Sequence, residues 1–545
     1  MYRRSLFGNR EISRLARGLW PSGPHREGAE PKPMMHEQEK SDPAIVAVKP
    51  TNTDGRPAAE PVEPRAGAEG NATQGGMLRT QGRDGMSHGL DRVRTAARLD
   101  KKMRFTALLH HVTLDLLRDA YSWLKRDAAP GVDGMTWHAY GEAFEARLED
   151  LHERVHRGGY RARPSRRKFI PKPDGRQRPL GIAALEDKIV QRALVEVLNA
   201  IYEADFLGIS YGFRPGRSQH DALDALAVGI DSTKVNWILD ADIAGFFDAV
   251  SHDWLIKFVE HRIGDRRVTR LIHKWLKAGV TDEDGETTPT TSGTPQGAVI
   301  SPLLANVYLH YVFDLWAQQW RRRHARGNVI IVRYADDIVA GFEHEADATR
   351  FLAELRERMG QFALSLHPDK TRLIEFGRRA AADRGRRGLG KPETFDFLGF
   401  THICAKSRRG AFQLRRKTRR DRMRAKLAAI KEELRRHRHA PIPEQGSWLR
   451  RVMTGYFAYH AVPTNSRALA AFRYHVSRLW LKMLRQRSQR SAILWHRMAK
   501  LEAQWLPKPS ITHPWPNERF RRHHPRWEPD ALIGPVRFCA GGVQQ

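Results

Sequence analysis

Two adjacent acids interrupt an otherwise apolar stretch, "VIIVRYADDIVAGF", at residues 329–342. Val329 to Val332 and Ile338 to Ala340 read as two β-rich runs, with a short polar turn between them. Asp336 and Asp337 then fall at the tip of a hairpin. Neighbouring carboxylates raise each other's pKa and resist burial, so the pair costs more than a plain turn requires. Upstream, "WILDADIAGFFDAVSHDWL" ends another apolar strand in Asp242. Taken singly, each acid reads as a turn residue or a helix N-cap. Taken together, two neighbouring strands that both end in acids converge their carboxylates on one point. A cation must then offset the repulsion, and Mg2+ suits the task because it takes hard oxygen ligands and keeps positions for water and phosphate. Two such ions about 4 Å apart clamp the attacking and leaving oxygens of a phosphoryl transfer. The chemistry implied is phosphoryl transfer of the polymerase type, which asks the protein mainly for positioning and electrostatics.

Strand-like runs such as "VNWILDADI" and "VIIVRY" must carry these acids, and helical stretches such as "SPLLANVYLHYVFDLWAQQWRRR" and "ADATRFLAELRERMGQFAL" must pack on them. Strands and helices alternate in this way up to about residue 400. Before them, "FTALLHHVTLDLLRDAYSWLK" has Leu108, Val112, Leu116 and Leu117 near a 3.6-residue period, with a stop at Pro130-Gly131. Residues 1–95 are rich in Pro, Gly, Glu and Arg and are expected to be disordered. After "FDFLGF" the segment "QLRRKTRRDRMRAKLAAIKEELRRHRH" reads as a basic helix, and helix continues to about residue 505. The Pro-, His- and Trp-rich residues 506–545 receive no assigned structure.

Composition narrows the partners. The chain has 545 residues, 93 Lys and Arg against 62 Asp and Glu, and a formal net charge of +31. That surplus calls for a polyanion, with nucleic acid ahead of a membrane surface. No apolar run approaches the roughly 20 residues that span a bilayer, and the N-terminus lacks the apolar core of a secretory signal. The two cysteines, Cys404 and Cys539, exclude a disulfide framework and make a structural zinc site a poor fit. A soluble protein of a reducing compartment such as the cytoplasm, associated with nucleic acid, is expected. Arg415, Arg416, Lys417, Arg419, Arg420, Arg422 and Arg424 are candidates for RNA or DNA phosphate contact; the alternative is a merely solvated face.

"YADD", the upstream "DIAGFFD" and the intervening "SGTPQGAVISPLLANVYL" together resemble the palm of reverse transcriptases, in particular the bacterial group II intron-encoded reverse transcriptase/maturase. "AAPGVDGMTWHAY" is similar to that family's N-terminal extension block, "IPKPDGRQRPLGIAALEDKIVQRAL" to its fingers, "SYGFRPGRSQHDAL" to the block that follows, and "FDFLGF" to the end of its palm. "WLRRVMTGYFAYHAVPTNSRALAAFRYHVSRLWLKMLRQRS" resembles the maturase domain that serves as thumb. The resemblance implies an α+β right-hand polymerase fold, with fingers and palm built on antiparallel sheet and helices, followed by an α-helical thumb/maturase domain. The implied domains are an N-terminal block and fingers over 96–235, a palm over 236–400 and a thumb over 401–505.

It further implies two Mg2+ ions held by Asp242, Asp336 and Asp337, with Asp336 a surer direct ligand than Asp337. Phe247 would be the steric gate that selects dNTPs, and Phe246 a core residue. Lys172 and Arg178 would neutralise the incoming triphosphate, and Gln296-Gly297 would pack on the nascent base pair. The partners implied are group II intron RNA, an RNA template with a DNA primer, dNTPs and target DNA. No endonuclease domain is expected, because the paired cysteines and histidines of that domain are missing. A splicing-only maturase and a domesticated reverse transcriptase of phage defence are the competing readings, and the intact "YADD" and "GYFAYHAVPTN" weigh against each in turn.

Overall fold

The strands that carry the three acids lie in one four-stranded antiparallel sheet of order β6-β7-β3-β8, in which β7 and β3 are central. The computed structural model describes residues 89–171, 177–487 and 493–523. Within it, β3 is Trp237–Asp242, β6 is Val329–Tyr334, β7 is Asp337–Phe342 and β8 is Arg372–Glu375. Every residue of β6 is buried, which explains its unbroken apolar run: the sheet is covered on both faces. Val329 and Ile331 join one core, with the helical segment 301–323. Ile330 and Val332 join another, with the helix Gln219–Ser232. The alternation is that of side chains along a strand.

The second sheet has the order β2-β1-β4-β5, with β1 Ser165–Pro171, β2 Gln177–Ile182, β4 Val280–Thr281 and β5 Thr287–Thr288. The long helix Leu185–Asp205 follows β2 directly. The third sheet is the antiparallel set β9 Phe395–Phe397, β10 Phe400–Lys406 and β11 Phe412–Thr418. It leads into the helices Arg420–Arg436, Ile442–His460, Ser466–Arg485 and Trp495–Trp505, which enclose a core of their own. Tyr456 and Phe472 stack there with ring centroids 3.7 Å apart, and both are buried, as is Phe457. Among the described residues no helix is long and apolar enough to cross a membrane.

Several sequence expectations need correction. Residues 89–99 are helical, inside and just beyond the segment expected to be disordered, because Val93 and Ala97 bury against the main core; residues 1–88 lie outside the described residues. The helix expected over the "FTALLHHVTLDLLRDAYSWLK" stretch starts only at Leu114, where the Thr113 side chain accepts from the Leu116 amide, so Leu108 and Val112 pack from a looser segment. The basic stretch expected to be wholly helical begins as β11, and helix starts at Arg420. The expected boundary at residue 400 therefore falls at the first residue of β10, inside a sheet.

The C-terminal stretch also holds a helix, Pro516–His523, which lies on the helix Gln219–Ser232. Asp224 of the latter receives Arg416 Nη1 at 2.7 Å and Arg519 Nε at 3.2 Å, all three side chains largely buried. Burial pushes the Asp224 carboxyl up, and the two guanidiniums pull it back. Around this junction the Thr512 and His513 amides donate to Ala461 O, both at 3.1 Å, and Phe520 packs into the adjoining core. Removing one member of a buried charge group strands the others, at a cost of about 3–5 kcal/mol. Asp224→Ala is thus expected to lower the melting temperature and expose residues 507–523 to protease. Unchanged melting and unchanged cleavage would show that the junction contributes nothing.

Candidate active site

The acid-bearing hairpin closes through Ala335 and Asp336, since Tyr334 pairs with Asp337 across the turn. Ala335 has φ +56, and Asp336 is not among the positive-φ residues; positive φ at the first turn position alone is the type II′ pattern that suits a twisted hairpin. Glycine usually takes that position, so the alanine stores strain that its surroundings must hold. The segment Ile209–Gly212 supplies part of that hold. The Tyr211 amide donates to Arg333 O at 2.9 Å, and the Arg333 amide to Ile209 O at 2.8 Å. A Cβ on Gly212 would stand 2.3 Å from Ala335 N, so only glycine allows this approach.

The register of β3 on β7 sets Asp242 directly opposite Asp337. Opposed residues of an antiparallel pair share a face, with Cβ atoms about 4.5–5.5 Å apart. Asp336, one residue back in the turn, is fully buried, whereas Asp242 and Asp337 are partly exposed. Sequence reasoning had ranked Asp336 above Asp337; the strand register pairs Asp337 with Asp242. Lys370 Nζ sits 3.1 Å from Asp242 Oδ2, and the His367 amide donates to Asp242 O at 2.7 Å. Two residues upstream, burial pushes the Asp240 carboxyl up to about 7 despite Arg372 at 3.7 Å. Among the described residues no group of three or more His, Cys, Asp and Glu is drawn together tightly enough to hold a metal. The donor chemistry still suits a hard divalent ion, because the three acids offer only carboxylate oxygens. Lys370, half exposed, provides the positive charge at Asp242 in this arrangement.

Downstream of β3, Gly245 starts the short helix Phe246–Ala249. Phe246 and Phe247 are both buried, at 1% and 8% exposure, with ring centroids 5.4 Å apart. Phe246 also faces Tyr308, which makes it the deeper of the two. The "SGTPQG" loop lies against this helix: the Thr294 amide donates to Phe247 O at 2.7 Å. The same loop touches β2, where the Gly181 amide donates to Gln296 O at 2.7 Å. Gly297 adopts φ +109, and a Cβ on it would meet Gly181 O at 2.7 Å. The fold thus brings Phe247, Gln296, Gly297 and β2 together. Arg178 lies in β2 opposite Ile170 by its backbone; its side chain and Lys172 lie outside the described residues.

The basic candidates divide by strand period. Arg415 and Lys417 are exposed on β11, while Leu414, Arg416 and Thr418 point inward. Arg416 is corrected as a phosphate contact: at 2% exposure it is committed to Asp224. Arg420 and Arg424 are exposed one turn apart on the following helix, and Arg419 and Arg422 are half-buried. Sequence reasoning passed over Lys370 and Arg333. An arginine inside "VIIVRY", where every neighbour is apolar, was the available signal for the second.

A palm sheet with acids at one corner, a fingers sheet beside it and a helical thumb define a right-hand nucleic-acid polymerase. The family model for reverse transcriptase (RNA-dependent DNA polymerase) matches residues 170–402. The chain is 36% identical to Protein YkfC of Escherichia coli K12, a match that covers 54% of this chain and 88% of YkfC. It is also 36% identical to the group II intron-encoded protein LtrA of Lactococcus lactis subsp. cremoris over 38% of this chain, a stretch about a third (34%) of LtrA's length. A 91 kDa protein in the cob intron of Schizosaccharomyces pombe is 44% identical over 27% of this chain and 18% of its own length. The chain belongs to the reverse transcriptase family, in its group II intron-encoded reverse transcriptase/maturase branch, and is an RNA-directed DNA polymerase that acts on nucleic acid.

Gly297 gives this site a direct test. Gly297→Ala is expected to slow primer extension about tenfold or more, since an ångström of misplacement at a reacting centre costs about a hundredfold. Full extension rates in a folded variant would place the loop away from the nucleotide.

Proposed function

We propose that the chain copies RNA into DNA by two-metal phosphoryl transfer at Asp242, Asp336 and Asp337, and that it binds the RNA of a group II intron to assist its splicing and mobility. The observation that carries the first half is the β3–β7 register, which holds Asp242 against Asp337 beside the turn that bears Asp336. Two Mg2+ ions there would activate the primer 3′-hydroxyl and neutralise the departing pyrophosphate. Asp242, Asp336 and Asp337 would hold them, with Lys370 yielding its place at Asp242. Phe247, walled by the "TPQG" loop, is the residue against which a ribose 2′-hydroxyl would clash. Gln296 and Gly297 line the same corner for the nascent base pair, and Lys172 and Arg178 of the fingers hairpin are assigned to the triphosphate.

Intron RNA recognition is assigned to the basic side chains of β11 and the thumb. Arg415, Lys417, Arg420 and Arg424 carry exposed charge on adjoining elements. A groove of about 630 Å³ between thumb helices adds Lys431, Arg478, Lys482 and Arg485. An RNA template paired to a DNA primer, dNTPs and target DNA are the remaining proposed partners.

Asp336→Ala is expected to abolish Mg2+-dependent cDNA synthesis on a primed RNA while intron RNA binding stays within about twofold, as for a residue that acts only in the reaction. Undiminished synthesis would remove Asp336 from the reaction. Phe247→Ala should admit ribonucleotides, read as incorporation of rNTP against dNTP; unchanged selectivity would move the gate elsewhere. Neutralising Arg415, Lys417, Arg420 and Arg424 together should flatten the salt dependence of RNA binding, each lost phosphate contact lowering the slope by about 1. An unaltered slope would make these four bystanders.

A further inference from the structure

Arg333 is a charged side chain in the middle of a wholly buried strand, and it is itself 0% exposed. A guanidinium offers five N–H donors in a fixed fork, and each of them finds an acceptor here. Nε donates to Asp314 Oδ1 at 2.7 Å and Nη2 to Asp314 Oδ2 at 2.6 Å, a bidentate pair. Nη2 also donates to Ser210 Oγ at 2.7 Å. Nη1 donates to Asn306 Oδ1 at 2.9 Å and to the Ala335 carbonyl at 3.0 Å. The last bond falls on the peptide that enters Asp336, in the turn whose backbone is strained at Ala335.

The partners of Arg333 are themselves arranged for it. Asn306 passes its Nδ2 to Gly212 O at 2.7 Å, the glycine that lies against Ala335. Asn306 and Asp314 sit on one helical segment, interrupted by a π-helical turn at His310–Asp314. In a regular α-helix, residues eight apart lie about 80° apart around the axis. The wider turn absorbs one residue and brings that angle to about 20°, so both side chains meet the same guanidinium. The π-turn thereby acquires a physical reason: it aims Asp314 at β6.

We propose that Arg333 is a positioning residue of the polymerase site. With Asn306, Asp314 and Ser210 it clamps the Ala335-Asp336 turn, so that the Asp336 carboxylate is held in place before metal and nucleotide arrive. Lysine does not substitute for it, because one ammonium with three donors cannot span these five acceptors. The inference rests on the reading of Asp336 as a catalytic carboxylate.

Removing Arg333 alone would strand Asp314 in the core, so the test pairs variants that keep the fold. Replacement of a buried ion pair by apolar side chains of similar size is commonly neutral for stability. Arg333→Met with Asp314→Leu is one such variant, and Asn306→Ala, which leaves the ion pair intact, is another. For each, the melting temperature is measured first. Then come kcat and the dNTP KM on primed RNA, primer–template affinity, Mn2+ affinity by electron paramagnetic resonance, and amide exchange over residues 334–340.

The expected result is a folded protein whose kcat falls about tenfold or more, with dNTP KM and primer–template affinity within about twofold, the signature of lost positioning rather than lost binding. Mn2+ affinity should weaken about threefold or more, and exchange at residues 334–337 should speed up, as for a loosened binding site. Folded variants with kcat and Mn2+ affinity within twofold of the unaltered chain would overturn the proposal. So would a fall in rate matched by an equal loss of primer–template binding. If the unaltered chain makes no cDNA, the functional reading fails by itself. Arg333 is then judged on Mn2+ affinity and exchange, and equal values in variant and unaltered chain overturn it.

Discussion

Repulsion between carboxylates is the constraint around which this molecule is organised. The register of two central strands holds Asp242 against Asp337, and the turn between β6 and β7 holds Asp336 within one residue of them. Left to itself such a corner would open. It stays closed because the acids are fixed by strands buried on both faces, and sliding one of them by one residue would exchange the side chains it sends to the two cores. The hydrophobic core therefore supplies the energy that keeps like charges together. The positive charge that makes the arrangement tolerable comes from outside the sheet, from Lys370 in this structure.

The same division holds elsewhere in the chain. Arginines fall into two populations with different work. Arg333, Arg416 and Arg262 are buried and matched to Asp314, Asp224 and Asp205, so their charge is neutralised locally and their geometry matters. Arg415, Lys417, Arg420 and Arg424 are exposed, and their charge is available to an anion. A count of basic residues merges the two groups; strand and helix periodicity separates them.

Much of the fold was legible because the palm strands are long apolar runs and the helices beside them keep a 3.6 period. The acid-ended strands, their hairpin and the burial of Phe246 could all be read from "WILDADIAGFFD" and "VIIVRYADDIV". What escaped were features decided by partners distant in sequence. β11 is too basic to look like a strand; its pairing with β10 and the Asp224 ion pair overrule composition. The helix Pro516–His523 looked structureless because its partner, the helix Gln219–Ser232, lies far upstream in the chain. The preference of Asp337 for the position opposite Asp242 depends on a two-residue turn, which "YADD" alone does not specify. Lys370 gave no local sign of its role, since its distance to Asp242 is set by the β3–β8 pairing.

The ion pairs of Asp224 bear on the order in which the protein becomes complete. Asp224 lies in the helix Gln219–Ser232 that packs on the palm sheet, yet its two cationic partners come from β11 and from the helix near residue 520. Because domains form as the chain emerges from its N-terminal side, the palm sheet is assembled before either partner exists. Until then one buried face of that helix carries an acid without its counter-charge. A nascent or prematurely ended chain thus holds Asp242, Asp336 and Asp337 while the Asp224 junction is still open, and that junction closes only once Arg519 has been made.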